Sequence, residues 1–276
     1  MTTILDDVRA MHLTLRHQTR YRYDGAGSHA IQRLRLTPAS NRAQTVHSWA
    51  IEAPGMDSAA TYTDGLGNIT HLISQAEPEE ELVITASGQV TTTDTGGVLG
   101  TLNEIANPAI FLRPTALTQS SAEIDAMAAA VRLADPLEMV HALMAAITDQ
   151  VAYVTASSHA GTSAAEAFAA GTGVCQDHAH IFIAACRRHS IPARYVTGYM
   201  HVSGEDQAVA HHAWAEANLA NLGWVGFDPA NRQCPTEHYV RLACGFDAPS
   251  AAPIIGTRRG SGRERLDVDV VVQQQQ

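Results

Sequence analysis

The sequence predicts an α+β protein: an N-terminal domain of short strands resembling a β-sandwich, then a unit that sets helices against an antiparallel sheet. Three observations carry this. Residues 12–90 show short alternating stretches broken by Gly, Pro and Asp turns. Residues 121–189 switch to apolar side chains at helical spacing. Residues 194–228 return to strand patterns.

Composition bounds the function. With 276 residues, 45% hydrophobic and 17% charged, the chain is globular and long enough for one large domain or two smaller ones. A net charge of −10 argues against nucleic acid and anionic lipid as partners, since both need a surplus of Lys and Arg. No apolar run approaches the ~20 residues that span a bilayer. Met1–Met11 carries Asp6, Asp7 and Arg9 and no apolar h-region, so the expected compartment is the cytoplasm. There the four cysteines, 175, 186, 234 and 244, stay reduced.

In the first region, Leu13, Leu15, Tyr21, Tyr23, Leu34, Leu36 and Val46–Ile51 lie in alternating stretches. Asp24-Gly25, Thr37-Pro38, Ala53-Pro54-Gly55, Asp64-Gly65 and Gly67-Asn68 separate them as turns. Leu82–Ala86 reads as a further strand. Thr91–Gly100 is the expected linker, placing a β domain at 1–95 and a catalytic domain at 96–276. Helices follow at 121–133, with Ser121 as N-cap, at 136–150, with Pro136 in its first turn, and at 163–170. A fourth runs from Cys175 to His189 and is stopped by Ile191-Pro192. Strands are expected at 194–202, 212–219 and 223–228, with a last one at 266–272.

The chemistry centres on Gly171-Thr172-Gly173-Val174-Cys175, which puts a cysteine at a helix start just after two glycines. Unpaired N–H groups and the positive end of the helix dipole favour a thiolate there, and the thiolate is the nucleophile. Such a thiol needs a proton acceptor, and the imidazole that serves needs a group to orient it. His212 opens one strand and Asp228 closes the next, with a short turn near Asn221 between. If 219 pairs with 223, then 214 lies opposite 228, and His212 and Asp228 share a face at ~7–8 Å between backbones. A shift of one residue would send either to the other face.

The plainer readings are weighed beside these. Cys186, Cys234 and Cys244 read as small buried hydrophobes. Trp214 and Trp224 read as core anchors, and Asp177 as a helix cap. Cys175, His178, His180, His211, His212 and Cys234 are all possible metal ligands, but their spacing matches no usual zinc pattern, and no metal or other cofactor is expected.

Four stretches resemble the transglutaminase-like superfamily of cysteine enzymes, and in particular its bacterial transglutaminase-like cysteine protease group. They are 173–180 (GVCQDHAH), 191–199 (IPARYVTGY), 212–216 (HAWAE) and 223–231 (GWVGFDPAN). Arg33–Pro38 and Asp64–Asn68 carry a weaker match to the β domain that often precedes this core. The resemblance implies a papain-like fold with Cys175 as nucleophile, His212 as general base and acid, and Asp228 as orienting carboxylate. It implies acyl transfer at an amide, with a peptide or protein as substrate and hydrolysis favoured. Protein-glutamine transamidation and a non-catalytic binding or scaffold role are the alternatives. Ala230 departs from the Thr frequent after Asp-Pro in the group. Transglutaminases proper place a Trp upstream as oxyanion donor and papain-like proteases a Gln. Here no Trp lies between Trp49 and Trp214, and no Gln between Gln150 and Cys175. The backbone N–H of Cys175 is one expected donor, and Tyr153 is a guess for the second.

Overall fold

Strict alternation builds the first half of the chain. In β1 (Ala10–Tyr23), Met11, Leu13, Leu15, His17 and Thr19 point inward, with polar or exposed residues between them. β2 (Gly27–Thr37), β3 (Gln44–Glu52), β4 (Ala60–Thr63), β5 (Ile69–Ala76) and β6 (Glu81–Thr93) follow, with β4 and β5 forming a hairpin and the other pairings skipping strands. The computed structural model describes residues 9–25, 27–76, 79–202 and 211–274.

The chain then enters its second unit through a short strand, β7 (Val98–Gly100). Helices α1 (Ala122–Ala130) and α2 (Pro136–Gln150) come next, capped by the side chains of Ser121 and Asp135. A two-residue strand β8 (Ala152–Tyr153), helix α3 (Ala164–Ala170) and strand β9 (Thr172–Gly173) lead to α4 (Cys175–Arg188). The sheet beneath α4 is formed by β10 (Ala193–Met200), β11 (His211–Leu219), β12 (Gly223–Phe227) and β13 (Tyr239–Gly245). A one-turn helix α5 (Ala248–Ala251) precedes the closing strands β14 (Ile254–Gly260) and β15 (Glu264–Gln274).

Pairing sorts these strands into a five-stranded sheet, β13-β10-β11-β12-β7, and two four-stranded sheets, β15-β1-β6-β3 and β14-β2-β5-β4. The five-stranded sheet packs Ala213, Ala215 and Ala217 against Ile181, Phe182 and Ala185 of α4. Small residues on the strand let the helix approach closely. The two four-stranded sheets enclose Leu13, Leu15, Leu34, Leu36, Ile73 and Ile84, each 1% exposed or less. The fold is therefore α+β: helices on a mostly antiparallel sheet, with a β-sandwich ahead of them.

Two features depart from the sequence reading. Thr91–Gly100 is no free linker. Its threonines finish β6, Gly96 and Gly97 turn with positive φ, and Val98 pairs with Val225 in the second unit's sheet. Nor do residues 254–274 belong to that sheet: β14 pairs with β2, and β15 pairs with β1 over eleven residues. The last two strands complete the sandwich, so a division at 95/96 separates strands that share a sheet. Local alternation marks a strand but does not name its partner.

Side-chain amides join the two units. Asn68 donates to the Cys244 carbonyl at 3.0 Å and accepts from its N–H at 2.8 Å. Gln44 does the same for Arg241, at 2.9 and 2.8 Å. Both amides stand in for a neighbouring strand along β13, satisfying backbone groups that would otherwise be buried unpaired. The Asp64–Asn68 turn presents Asn68, and Asp64 is itself held by Arg35 at 2.7 Å.

Candidate active site

α3 ends at Gly171, which takes φ +66, a left-handed cap that suits glycine. Two residues on, a Cβ at Gly173 would sit 2.8 Å from the Asp177 Cβ, so only glycine lets the strand pass that close to the helix. Asp177, at the third helical position, accepts the Val174 N–H at 2.8 Å and the Ser158 hydroxyl. It is wholly buried and acts as the cap the sequence suggested, closing the turn that presents Cys175. Cys175 is half-buried, and all four cysteines are free. As the first residue of α4 it has an N–H that no helical carbonyl can accept.

The β11–β12 hairpin supplies the other two groups. Asn221 turns with φ +69, and Leu219 pairs with Gly223, the register assumed from sequence. His212 Nε2 donates to Asp228 Oδ2 at 2.7 Å. That leaves Nδ1 free for a second partner, and Cys175 lies close enough to act on the charge of the His212 ring. The structure thus brings Cys175, His212 and Asp228 together in one chain of contacts. His212 is 5% exposed and Asp228 0%.

Charge within this chain follows from its contacts. Burial alone would lower the His212 pKa. Hydrogen bonds to Asp228 and Cys175, and the charge on both, outweigh it and raise the value to about 10. Burial would likewise raise Asp228, but His212 beside it, with Asn231 and Tyr239, brings it below its ordinary value.

Two of those residues carry no role in the sequence reading. Asn231 donates to Asp228 Oδ2 at 2.7 Å, and the Tyr239 hydroxyl donates to the same oxygen at 2.7 Å. Gln233 donates in turn to the Tyr239 hydroxyl at 2.8 Å. Asn231, three residues after Asp228, also sends its N–H to Oδ1, a local turn pattern that the sequence could have offered. Tyr239 reaches the site from β13, and no local signal points to it. Trp214 flanks the His212 ring at 6.3 Å between centroids and meets Tyr239 edge-to-face at 5.5 Å. An aromatic wall therefore restricts the imidazole.

Tyr153 pairs beside Gly173 in the short parallel ladder and is 47% exposed. Its hydroxyl pKa is raised by partial burial, then by charge at Cys175 and Asp228. The remaining candidate ligands have other partners. His178 lies between the carbonyls of Val174 and Val151, His180 accepts the Ala248 N–H, and His211 bonds Thr197. Among the described residues, no three His, Cys, Asp or Glu side chains gather as a metal site.

Comparison with known proteins shows the family and the fold. Residues 13–91 match the model of a bacterial transglutaminase-like N-terminal region, and residues 125–229 that of the transglutaminase-like superfamily. An uncharacterized protein of Mycobacterium leprae is 30% identical over 271 residues, covering 93% of this chain and 96% of its own length. One from Mycobacterium tuberculosis is 29% identical over 285 residues, covering 93% and 90%. The crystal structure of a "putative cysteine protease" from Cytophaga hutchinsonii superposes with a TM-score of 0.74 at 24% identity, over 96% of this chain and 91% of that one. At that identity the likeness is one of fold.

Proposed function

Because the chain belongs to the transglutaminase-like superfamily, we propose that it is a thiol-dependent acyl-transfer enzyme that cleaves a peptide or isopeptide amide. One observation supports the reading: His212 Nε2 donates to Asp228 Oδ2 at 2.7 Å, and Cys175 acts on the charge of the same ring. In the first half-reaction, His212 Nδ1 takes the Cys175 thiol proton, the sulfur attacks the amide carbon, and a C–S bond forms as the carbonyl π pair moves to oxygen. The C–N bond then breaks as His212 Nδ1 gives its proton to the leaving amine. A thioester remains. Water attacks it, His212 takes the proton, and the C–S bond breaks to return the thiol. Asp228 holds the ring so that Nδ1 faces sulfur, and it stabilises the imidazolium.

The oxyanion of each tetrahedral intermediate would be met by the Cys175 N–H, free at the helix start. Tyr153, whose hydroxyl senses charge at Cys175, is the side-chain donor we assign. The compartment proposed with this reading is the cytoplasm, which keeps such thiols reduced.

The test is a mass-spectrometric screen of peptide and isopeptide libraries, wild type against Cys175→Ala. Cleavage that disappears in the variant is expected, and cleavage that persists would overturn the mechanism. Adding a primary amine separates hydrolysis, which gives the free acid, from transamidation, which gives the amine adduct.

A further inference from the structure

The β-sandwich has four sheet edges, and three carry a device that discourages pairing. β3 has a register shift between Val46 and Ser48, and β14 has one between Arg259 and Gly260. β4 is only four residues long. β15 differs: it follows β1 for eleven residues without a break, contains no Gly, Pro or Lys, and carries edge charges of both signs, Glu264, Arg265, Asp267 and Asp269, that can pair as well as repel. Among the described residues it pairs on one side alone.

Its two halves are unlike. Val270 and Val272 are buried in the sandwich core, whereas Leu266 and Val268 are each 52% exposed. On the opposite face, Asp267 pairs with Arg22 at 3.1 Å and Asp269 with Arg16 at 3.8 Å. Arg265 lies on that face too, directly across from Arg22, and among the described residues has no acidic partner. With a like charge opposite it and the neighbouring Asp267 already engaged by Arg22, this guanidinium is left without an ion pair among the described residues.

We propose that the 264–268 half of β15 pairs antiparallel with the same segment of a second copy of this chain, about a two-fold axis at Leu266. The register follows from geometry and charge. A two-fold perpendicular to a sheet keeps each side chain on its own face, so the axis must pass through a residue. Centred on Leu266, it sets Arg265 opposite Asp267 of the second copy, and Arg263 opposite Asp269. Neighbouring centres confront like charges: Glu264 or Arg265 with itself, Asp267 or Asp269 with itself, or, centred on Val268, Asp267 with Asp269. On the inner face the Leu266 register brings the two exposed leucines together beside Tyr21, their neighbour in β1. Two four-stranded sheets become one of eight, and a cross-copy ladder Arg22–Asp267–Arg265 gives that guanidinium an ion pair. The contact lies along the Thr19–Tyr23 end of β1, away from His17, which bonds Tyr199 of the second unit at 2.8 Å.

The test measures molar mass by sedimentation equilibrium on the full chain, over a range of protein and salt concentrations. Wild type should dimerise, more weakly as salt rises. Arg265→Asp and Asp267→Arg should each weaken the dimer by about tenfold or more in Kd, because each sets like charges across the axis. An equimolar mixture of these two variants should dimerise again, since the mixed pair restores opposite charges at both positions. A wild type that stays monomeric at all concentrations, or a mixture no more associated than its components, overturns the proposal. Circular dichroism confirms that each variant is folded.

Discussion

Two buried charge clusters lie on one sheet, and they end differently. In the first, Glu216 of β11 accepts from Arg194 and Arg241, each at 2.7 Å, and Arg194 reaches Glu104 at 2.6 Å while lying 3.7 Å over the Trp224 ring. Two arginines balance two glutamates in charge, and Arg194 Nη2 is the one guanidinium nitrogen of Arg194 left without a hydrogen-bond partner. In the second, four residues earlier on the same strand, His212 bonds Asp228, which has two further donors in Asn231 and Tyr239. Here the charges do not end within the sheet. Cys175 acts on the charge of the same imidazole, and Cys175 is half-buried. Burial of charge alone therefore does not mark the candidate site. Both clusters are buried, and the one with a valence left at an accessible thiol can do chemistry.

The sharpest way to break this comparison is to alter one carboxylate in each cluster. Asp228→Asn should leave the fold in place but let the ring take the wrong tautomer. Turnover on the substrate found by the screen should fall by about 10⁴-fold. A loss below about tenfold would remove Asp228 from the mechanism. Glu216→Ala should do the reverse. Two buried arginines would lose their partner, and thermal unfolding should report a loss of about 3–5 kcal/mol, with turnover per folded molecule little changed. Equal losses of turnover in both variants would dissolve the distinction between the clusters.

Next in size is Tyr153→Phe, which should lower kcat by about 10²-fold with little change in KM if its hydroxyl meets the oxyanion. A change confined to KM would make Tyr153 a substrate contact.

The smallest effect is in pH. His212 is raised from 6.5 to about 10, so its contribution to stability is whole below pH 6.5 and is lost as pH rises through 10. Asp228 is lowered, so its contribution is present above its ordinary value of 3.8 and is lost in acid. The stability margin of wild type over His212→Gln, followed by urea unfolding, should therefore shrink between about pH 6.5 and 10. A margin flat across that window would mean that the ring is not held charged.

Much of the site was legible because it is local. Gly171, Gly173 and the helix start are contiguous, and a short turn at Asn221 set the register that put His212 and Asp228 on one face. Tyr239 was not legible, since it arrives from β13, whose place beside β10 no local pattern gives. The same holds for Gln44 and Asn68, whose amides read as ordinary turn or strand residues until β13 lies against them. β14 and β15 show the limit most plainly. Alternation announced the last strand at 266–272, yet its partner lies at the other end of the chain. Long-range pairing depends on which edge is free when the chain returns, and periodicity carries no record of that.

The central claim is that Cys175 is activated through His212 and Asp228, and the rate of its alkylation by iodoacetamide near neutral pH tests that most directly. Peptide mass mapping distinguishes it from Cys234 and from the buried Cys186 and Cys244. The account predicts that Cys175 reacts faster than a model thiol, and that Asp228→Asn slows it toward the model rate. A Cys175 that reacts no faster than the model thiol in the wild-type protein would contradict it.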